Sequence, residues 1–355
     1  IYTKKPLDLQ LIARNKETNL GLVTIEGTVD LSNGYDFIKI ETYRNDLLIN
    51  TLDLSLVYTN SNATFVFNTS IPAELANYSF KIYGHKSLDD TLVLDKTISK
   101  IVAGDTFVIQ GQSNAVASIR KGSANSNKSD FIRVYANATP NFESLLSNDA
   151  WYIADGDGVT TVNGNTGQWG LKLARLLVDN LNIPIAVFNG AQSGQKISFF
   201  KPPVDYQTAL TSNYGKLYYR LKKTGLLDNV RAVFWSQGEA NAGSVFNSIS
   251  DYKKNFKILE NSWSTDFPNL EKIYVFQTKD CTCNATPEGL MNIKEAQRQL
   301  AEESEKVSIM PTTSLLLHTD DCHFPFKNGY ESFADRIYKM VLQDMYKKSF
   351  SEEIT

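Results

Sequence analysis

Residues 104–114 read G-D-T-F-V-I-Q-G-Q-S-N. The apolar run Phe107-Val108-Ile109 ends abruptly in Gly111-Gln112-Ser113-Asn114, so a buried strand delivers one hydroxyl to a loop at the carboxyl edge of a sheet. Open α/β sheets place their active sites at that edge. Near the other end of the chain, Asp320-Asp321-Cys322-His323 sets a carboxylate three residues before an imidazole. At that spacing Asp320 can reach Nδ1, with Asp321 the weaker orienter. A serine early and Asp-x-x-His late is the arrangement of a nucleophile and its base.

Beyond this stretch, strands alternate with amphipathic helices. Trp169, Leu173, Leu176, Leu177 and Leu181 fall at helical spacing and stop at Asn182-Ile183-Pro184. Apolar strands are expected at 185–188, 230–235, 273–276 and 307–310, with further helices around Tyr214–Leu221, Ile249–Trp263, Met291–Glu303 and from Tyr330 onward. Five short apolar strands separated by helices predict a parallel sheet covered on both faces, a three-layer α/β/α domain. The segment 122–168 is polar, rich in Ser, Asn, Gly and Asp, and has two readings: a substrate-facing loop, or a surface excursion with local hairpins.

Upstream, 22–29, 37–43, 64–67 and 78–83 alternate as strands and are separated by turn signals such as Ser32-Asn33-Gly34. They predict a small all-β sandwich, Ig-like or jelly-roll-like, over 1–101, followed by the α/β domain over 102–355. His85 reads as a strand-end residue. Trp151, Trp169 and Trp235 read as core more readily than as sugar-binding rings.

The totals exclude several classes. Lys+Arg 36 against Asp+Glu 39 gives a net charge of -3, with no basic block, so nucleic acid is not an expected partner. No apolar run is long enough to span a membrane. The first residue is Ile1 rather than methionine, which fits either removal of a signal peptide or a sequence that starts inside a longer chain. The three cysteines, Cys281, Cys283 and Cys322, admit one disulfide, from Cys322 to Cys281 or Cys283. A zinc held by these thiols and His323 is the rival reading, with poor spacing for it.

Acyl transfer also needs donors for the developing oxyanion. The strand ends offer the amide of Ser113, the amide of Gly194, and a side-chain amide from Gln237, with Asn241 as second choice. Gln112, Asn114 and Glu239, on the same turns, are the candidate substrate contacts. His323 is preferred as base over His318, whose acidic neighbours follow it.

Together G-Q-S-N at 111–114, W-S-Q-G-E-A-N at 235–241, K-E-A-Q at 294–297, and D-D-C-H followed by Gly329-Tyr330 resemble the SGNH hydrolases, and more closely the sialate O-acetylesterase and acetylxylan-esterase branch of carbohydrate esterases. The resemblance implies a doubly wound, flavodoxin-like sheet with Ser113 as nucleophile, His323 as base and Asp320 as orienter. It implies no metal or organic cofactor, an O-acetylated carbohydrate as substrate, and an exported protein. The chain departs from the pattern at Ala115, Ser193 and Ser236. Alternative functions are a glycan-binding or adhesion protein with an inactive hydrolase domain, and a short-chain lipase or thioesterase on the same fold.

Overall fold

The computed structural model describes residues 1–139, 141–207, 211–243, 248–283 and 285–348. Two compact units emerge, Ile1–Gly104 with Asn182–Pro184, and Asp105–Leu181 with Ile185–Thr355.

In the first unit, Leu20–Asp30 pairs antiparallel with Tyr2–Lys4 and with Asn62–Pro72. A second antiparallel set joins Phe37–Arg44 to Leu47–Ser55 and to Tyr78–Lys86. Burial alternates residue by residue along Leu20–Asp30, as a strand with one buried face requires. The buried faces of the two sets meet, with the rings of Phe67 and Phe80 6.1 Å apart. The strand 47–55 was not expected: nearly all of it is exposed, so its sequence carries no alternation of burial.

The second unit is built on a seven-stranded sheet. Its strands in chain order are β1 (Thr91–Gly111, of which 105–111 pair here), β2 (Ile132–Tyr135), β3 (Trp151–Ile153), β4 (Ile185–Asn189), β5 (Val230–Ser236), β6 (Lys272–Phe276) and β7 (Val307–Met310). Their spatial order is β3-β2-β4-β1-β5-β6-β7. Every neighbouring pair is parallel except β2 and β3. Strands β4 and β5 are buried at every position, so side chains on both faces are covered. Mixed sheet and intervening helices together make an α/β hydrolase-like fold.

Besides a short helix at Phe142–Leu146, the helices are α1 (Ser113–Val116), α2 (Gln168–Leu181), α3 (Asn213–Thr224), α4 (Glu239–Ala242), α5 (Ile249–Asp266), α6 (Pro287–Glu303) and α7 (Glu331–Tyr346). Helix α2 packs on α7, and α5 on α6. Ser212, Ser248 and Thr286 each cap a helix N-terminus by accepting a backbone amide three residues on, which fixes where α3, α5 and α6 begin.

The segment 122–168, apart from residue 140, takes the second of its two readings. It supplies the antiparallel pair β2 and β3 at the sheet edge, and Asp157 gathers its ends by accepting from Ala124 N and from Gln168 Nε2. Trp151, Trp169 and Trp235 are all buried in the core.

Candidate active site

Strand β1 ends in Gly111, whose φ of +135° lies where only glycine is at ease, and whose missing Cβ would sit 2.1 Å from the carbonyl oxygen of Ser236. That close approach stitches β1 to β5, and Gln112 N donates to Ser236 O at 2.9 Å. The chain then turns directly into α1, leaving Ser113 as the first residue of a helix. The following loops gather round it. Gln192 N donates to Gly111 O at 2.9 Å, bringing the loop after β4 to the same place.

A cavity of about 510 Å³ opens here, lined by Ser113, Gly194, His323, Glu239, Arg120 and Lys196 among others. Asp320 holds the imidazole: its Oδ2 lies 2.8 Å from His323 Nδ1, while its Oδ1 accepts from the amides of His323 at 3.0 Å and Cys322 at 3.2 Å. Partial burial alone would raise the Asp320 carboxyl. The amide of His323, its imidazole and the amide of Cys322 outweigh that and hold it well below the usual carboxylate range. A carboxylate can only accept, so the ring proton sits on Nδ1 and the Nε2 lone pair is left for the nucleophile. His318 Nδ1 lies farther from Asp320, at 3.6 Å, and His318 does not line the cavity.

Among the described residues no hydrogen bond links Ser113 to His323. Instead Arg120 Nη2 stands 3.5 Å from His323 Nε2. The amides of Ser113 and Gly194 donate to no acceptor among the described residues, so both are available to a ligand oxygen. Gly194 takes φ +73°, and a Cβ there would meet nothing within 4 Å.

Two of the expected donors stand elsewhere. Gln237 is buried, and its Nε2 lies 2.7 Å from Asn241 Oδ1, 3.2 Å from Gln195 O and 3.3 Å from Gln112 Oε1. It braces three turns against one another and is absent from the cavity wall, as is Asn241, whose Oδ1 also accepts from Ile197 N at 2.9 Å. Position on the turn did not disclose the direction of either side chain.

The candidate substrate contacts divide likewise. Asn114 is a buried brace rather than a contact: Nδ2 donates to Glu239 Oε1 at 2.8 Å and to Cys322 O at 3.2 Å, and Oδ1 accepts from Tyr330 OH at 2.9 Å. Gln112 reaches the cavity wall, but its Oε1 accepts from Gly238 N at 3.2 Å and Ala240 N at 3.1 Å at the start of α4. Glu239 does line the cavity. Burial pushes its carboxyl up against the opposing pull of its own backbone, Asn114 and His323, and its Oε2 has no partner among the described residues.

A disulfide joins Cys283 to Cys322, with Cα atoms 5.1 Å apart, and pins the loop after β6 to the residue before His323. Thr282 N donates to Asp321 O at 3.1 Å beside it. Sulfurs committed to this bond cannot hold zinc, and Cys281 remains a thiol. Sequence reasoning missed Arg120 and Lys196, since lysines and arginines in polar loops carry no mark of a site.

A family model described as "Carbohydrate esterase, sialic acid-specific acetylesterase" matches residues 103–343. Among solved structures, a carbohydrate acetylesterase from Xanthomonas citri is similar with TM-score 0.60 at 14% identity, covering 99% of this chain and 77% of that one. A protein from Arabidopsis thaliana is similar with TM-score 0.53 at 15% identity, covering 68% of this chain and 99% of the other. No curated protein sequence matches.

Proposed function

The chain belongs to the sialic acid-specific acetylesterase family of carbohydrate esterases and is a carboxylic ester hydrolase, and on that premise we propose that it removes O-acetyl groups from a glycan through an acetyl-enzyme at Ser113. The observation that carries the reading is the Asp320–His323 pair, 2.8 Å apart, opening on the same cavity as Ser113. Catalytic contacts are often loose without substrate and tighten in the complex.

In the first half-reaction His323 Nε2 takes the Ser113 proton while Oγ attacks the acetyl carbonyl. The oxyanion is received by the amides of Ser113 and Gly194, where donors fixed in advance stabilise charge as it forms. The tetrahedral adduct collapses as the imidazolium returns its proton to the departing sugar oxygen. Water, deprotonated by the same Nε2, then attacks acetyl-Ser113. Acetate leaves, and Oγ recovers the proton. Asp320 keeps the ring in the one tautomer that can do this and stabilises the imidazolium.

The finer architecture follows the same reading: an SGNH-type three-layer domain preceded by an accessory β-sandwich. Export is part of the proposal, and the Cys283–Cys322 disulfide supports it, because such bonds persist chiefly in oxidising compartments. The charged groups Arg120, Lys196 and Glu239 on the cavity wall favour a sugar over a long acyl chain.

The test is steady-state hydrolysis of p-nitrophenyl acetate, p-nitrophenyl octanoate, an O-acetylated sialic acid and acetylated xylan. Cleavage of acetate esters and of one acetylated glycan, with octanoate refused, is expected. Preference for octanoate would overturn the carbohydrate reading.

A further inference from the structure

The resting position of Arg120 is at odds with catalysis. Its Nη2 lies 3.5 Å from His323 Nε2, the lone pair that must accept the Ser113 proton, and its Nε lies 3.8 Å from Asp320 Oδ2. A guanidinium has five N–H donors and no acceptor, so at this place it can only occupy the base and can never relay its proton. It also opposes positive charge on the imidazole, the charge that the transition state requires.

The contact is easily given up. Arg120 stands on an exposed loop after α1, with about two fifths of its side chain in solvent, and exposed ion pairs such as the one with Asp320 are weak. Lys196 lies on the same cavity wall. An anion entering the cavity meets two cations. A carboxylate can engage the guanidinium in a paired, two-point contact that neither a 3.5 Å imidazole contact nor a 3.8 Å ion pair matches.

We propose that Arg120 is a substrate-operated latch: it covers His323 in the empty enzyme and swings to an anionic group on the acetylated sugar, freeing Nε2 for Ser113. The inference rests on the esterase reading above. Selection by the latch operates on turnover as well as on binding, because a neutral ester can fill the cavity and still find the base covered. Arg120 is thus a selector that acts through His323: it covers Nε2 only in the empty enzyme and takes no part in the chemical steps.

The test compares an O-acetylated sialic acid with its carboxamide, which differ in one charge, and adds p-nitrophenyl acetate as a small neutral ester. Wild type, Arg120→Gln and Arg120→Lys are assayed for kcat and KM separately. The wild type is expected to favour the acid over the amide by about tenfold or more in kcat/KM, with part of the difference in kcat. Arg120→Gln is expected to bring that ratio near one and to hydrolyse p-nitrophenyl acetate several-fold faster than wild type. Arg120→Lys should fall between, since it keeps the charge and loses the fork.

A p-nitrophenyl acetate rate left unchanged or lowered in Arg120→Gln overturns the latch, and so does an acid-to-amide ratio that the substitution does not alter. These failures leave the esterase reading standing. A wild type that cleaves no ester at all overturns both.

Discussion

The side-chain amide of Asn114 donates to the main-chain carbonyl of Cys322 at 3.2 Å, joining the residue after the proposed nucleophile to the residue before the proposed base. Those residues are 208 positions apart in sequence. The same Nδ2 donates to Glu239 Oε1 and the same side chain accepts from Tyr330, so one asparagine locks three loops. Asn114→Ala is expected to lower kcat by roughly a hundredfold through misplacement of the imidazole, with KM changed little. It should also cost about 1–3 kcal/mol of stability from the buried partners it orphans. Steady-state kinetics and denaturant unfolding check the two effects separately.

Asp320 accepts from two amides and one imidazole, and only the imidazole contact bears on chemistry. Asp320→Asn replaces an acceptor by a side chain that can donate to Nδ1, allowing the tautomer in which Nε2 carries the proton. The expected fall in kcat is on the order of 10³–10⁴ with the fold intact. Equal loss from Asp321→Asn, whose side chain is not the one on Nδ1, would contradict this assignment.

The disulfide closes a loop between residues 39 apart in sequence and anchors the residue next to His323. Cys283→Ser is expected to lower stability by about 2–4 kcal/mol and to reduce kcat, and a strong reductant should do the same to the wild type. Cys281→Ser should leave both unchanged. Thermal melts and activity, each with and without reductant, test the set.

Glu239 gives the stability a pH dependence of definite sign. Burial raises its carboxyl in the folded state above the unfolded value, so folding favours the protonated form. The cost of burying its charge is absent below the unfolded value of about 4.3 and grows as pH rises above it. Glu239→Gln removes that cost and keeps an oxygen for Asn114. Its melting temperature relative to wild type should therefore increase from pH 4 toward pH 7; a difference that shrinks over this range would contradict the account.

The apolar strands 107–109, 185–188 and 230–235 were legible because parallel strands buried on both faces are written as nearly unbroken apolar runs, here of Val, Ile, Phe, Ala and Trp interrupted only by Arg231. Two other strands were not. Ile132–Tyr135 carries Arg133 in a fully buried position, so its composition reads as polar loop. Leu47–Ser55 faces solvent nearly throughout and shows no alternation. In the site, the Asp320–His323 spacing announced itself because three residues bring the two side chains together locally. Gln237, Asn241 and Asn114 sit on the expected turns, but whether such a side chain faces the cavity or the interior depends on χ angles and on neighbours from distant loops. Arg120 approaches His323 across a separation of 203 residues, and nothing in its local sequence marks that meeting.

The central claim, a covalent acetyl-enzyme on Ser113, is tested most directly by rapid-quench mass spectrometry after mixing with p-nitrophenyl acetate, run beside Ser113→Ala. The account predicts one acetyl group on the peptide that contains Ser113, none in Ser113→Ala, and a turnover loss in that variant of about a thousandfold or more. An acetyl group on another residue, or a Ser113→Ala variant that keeps its turnover, would contradict it.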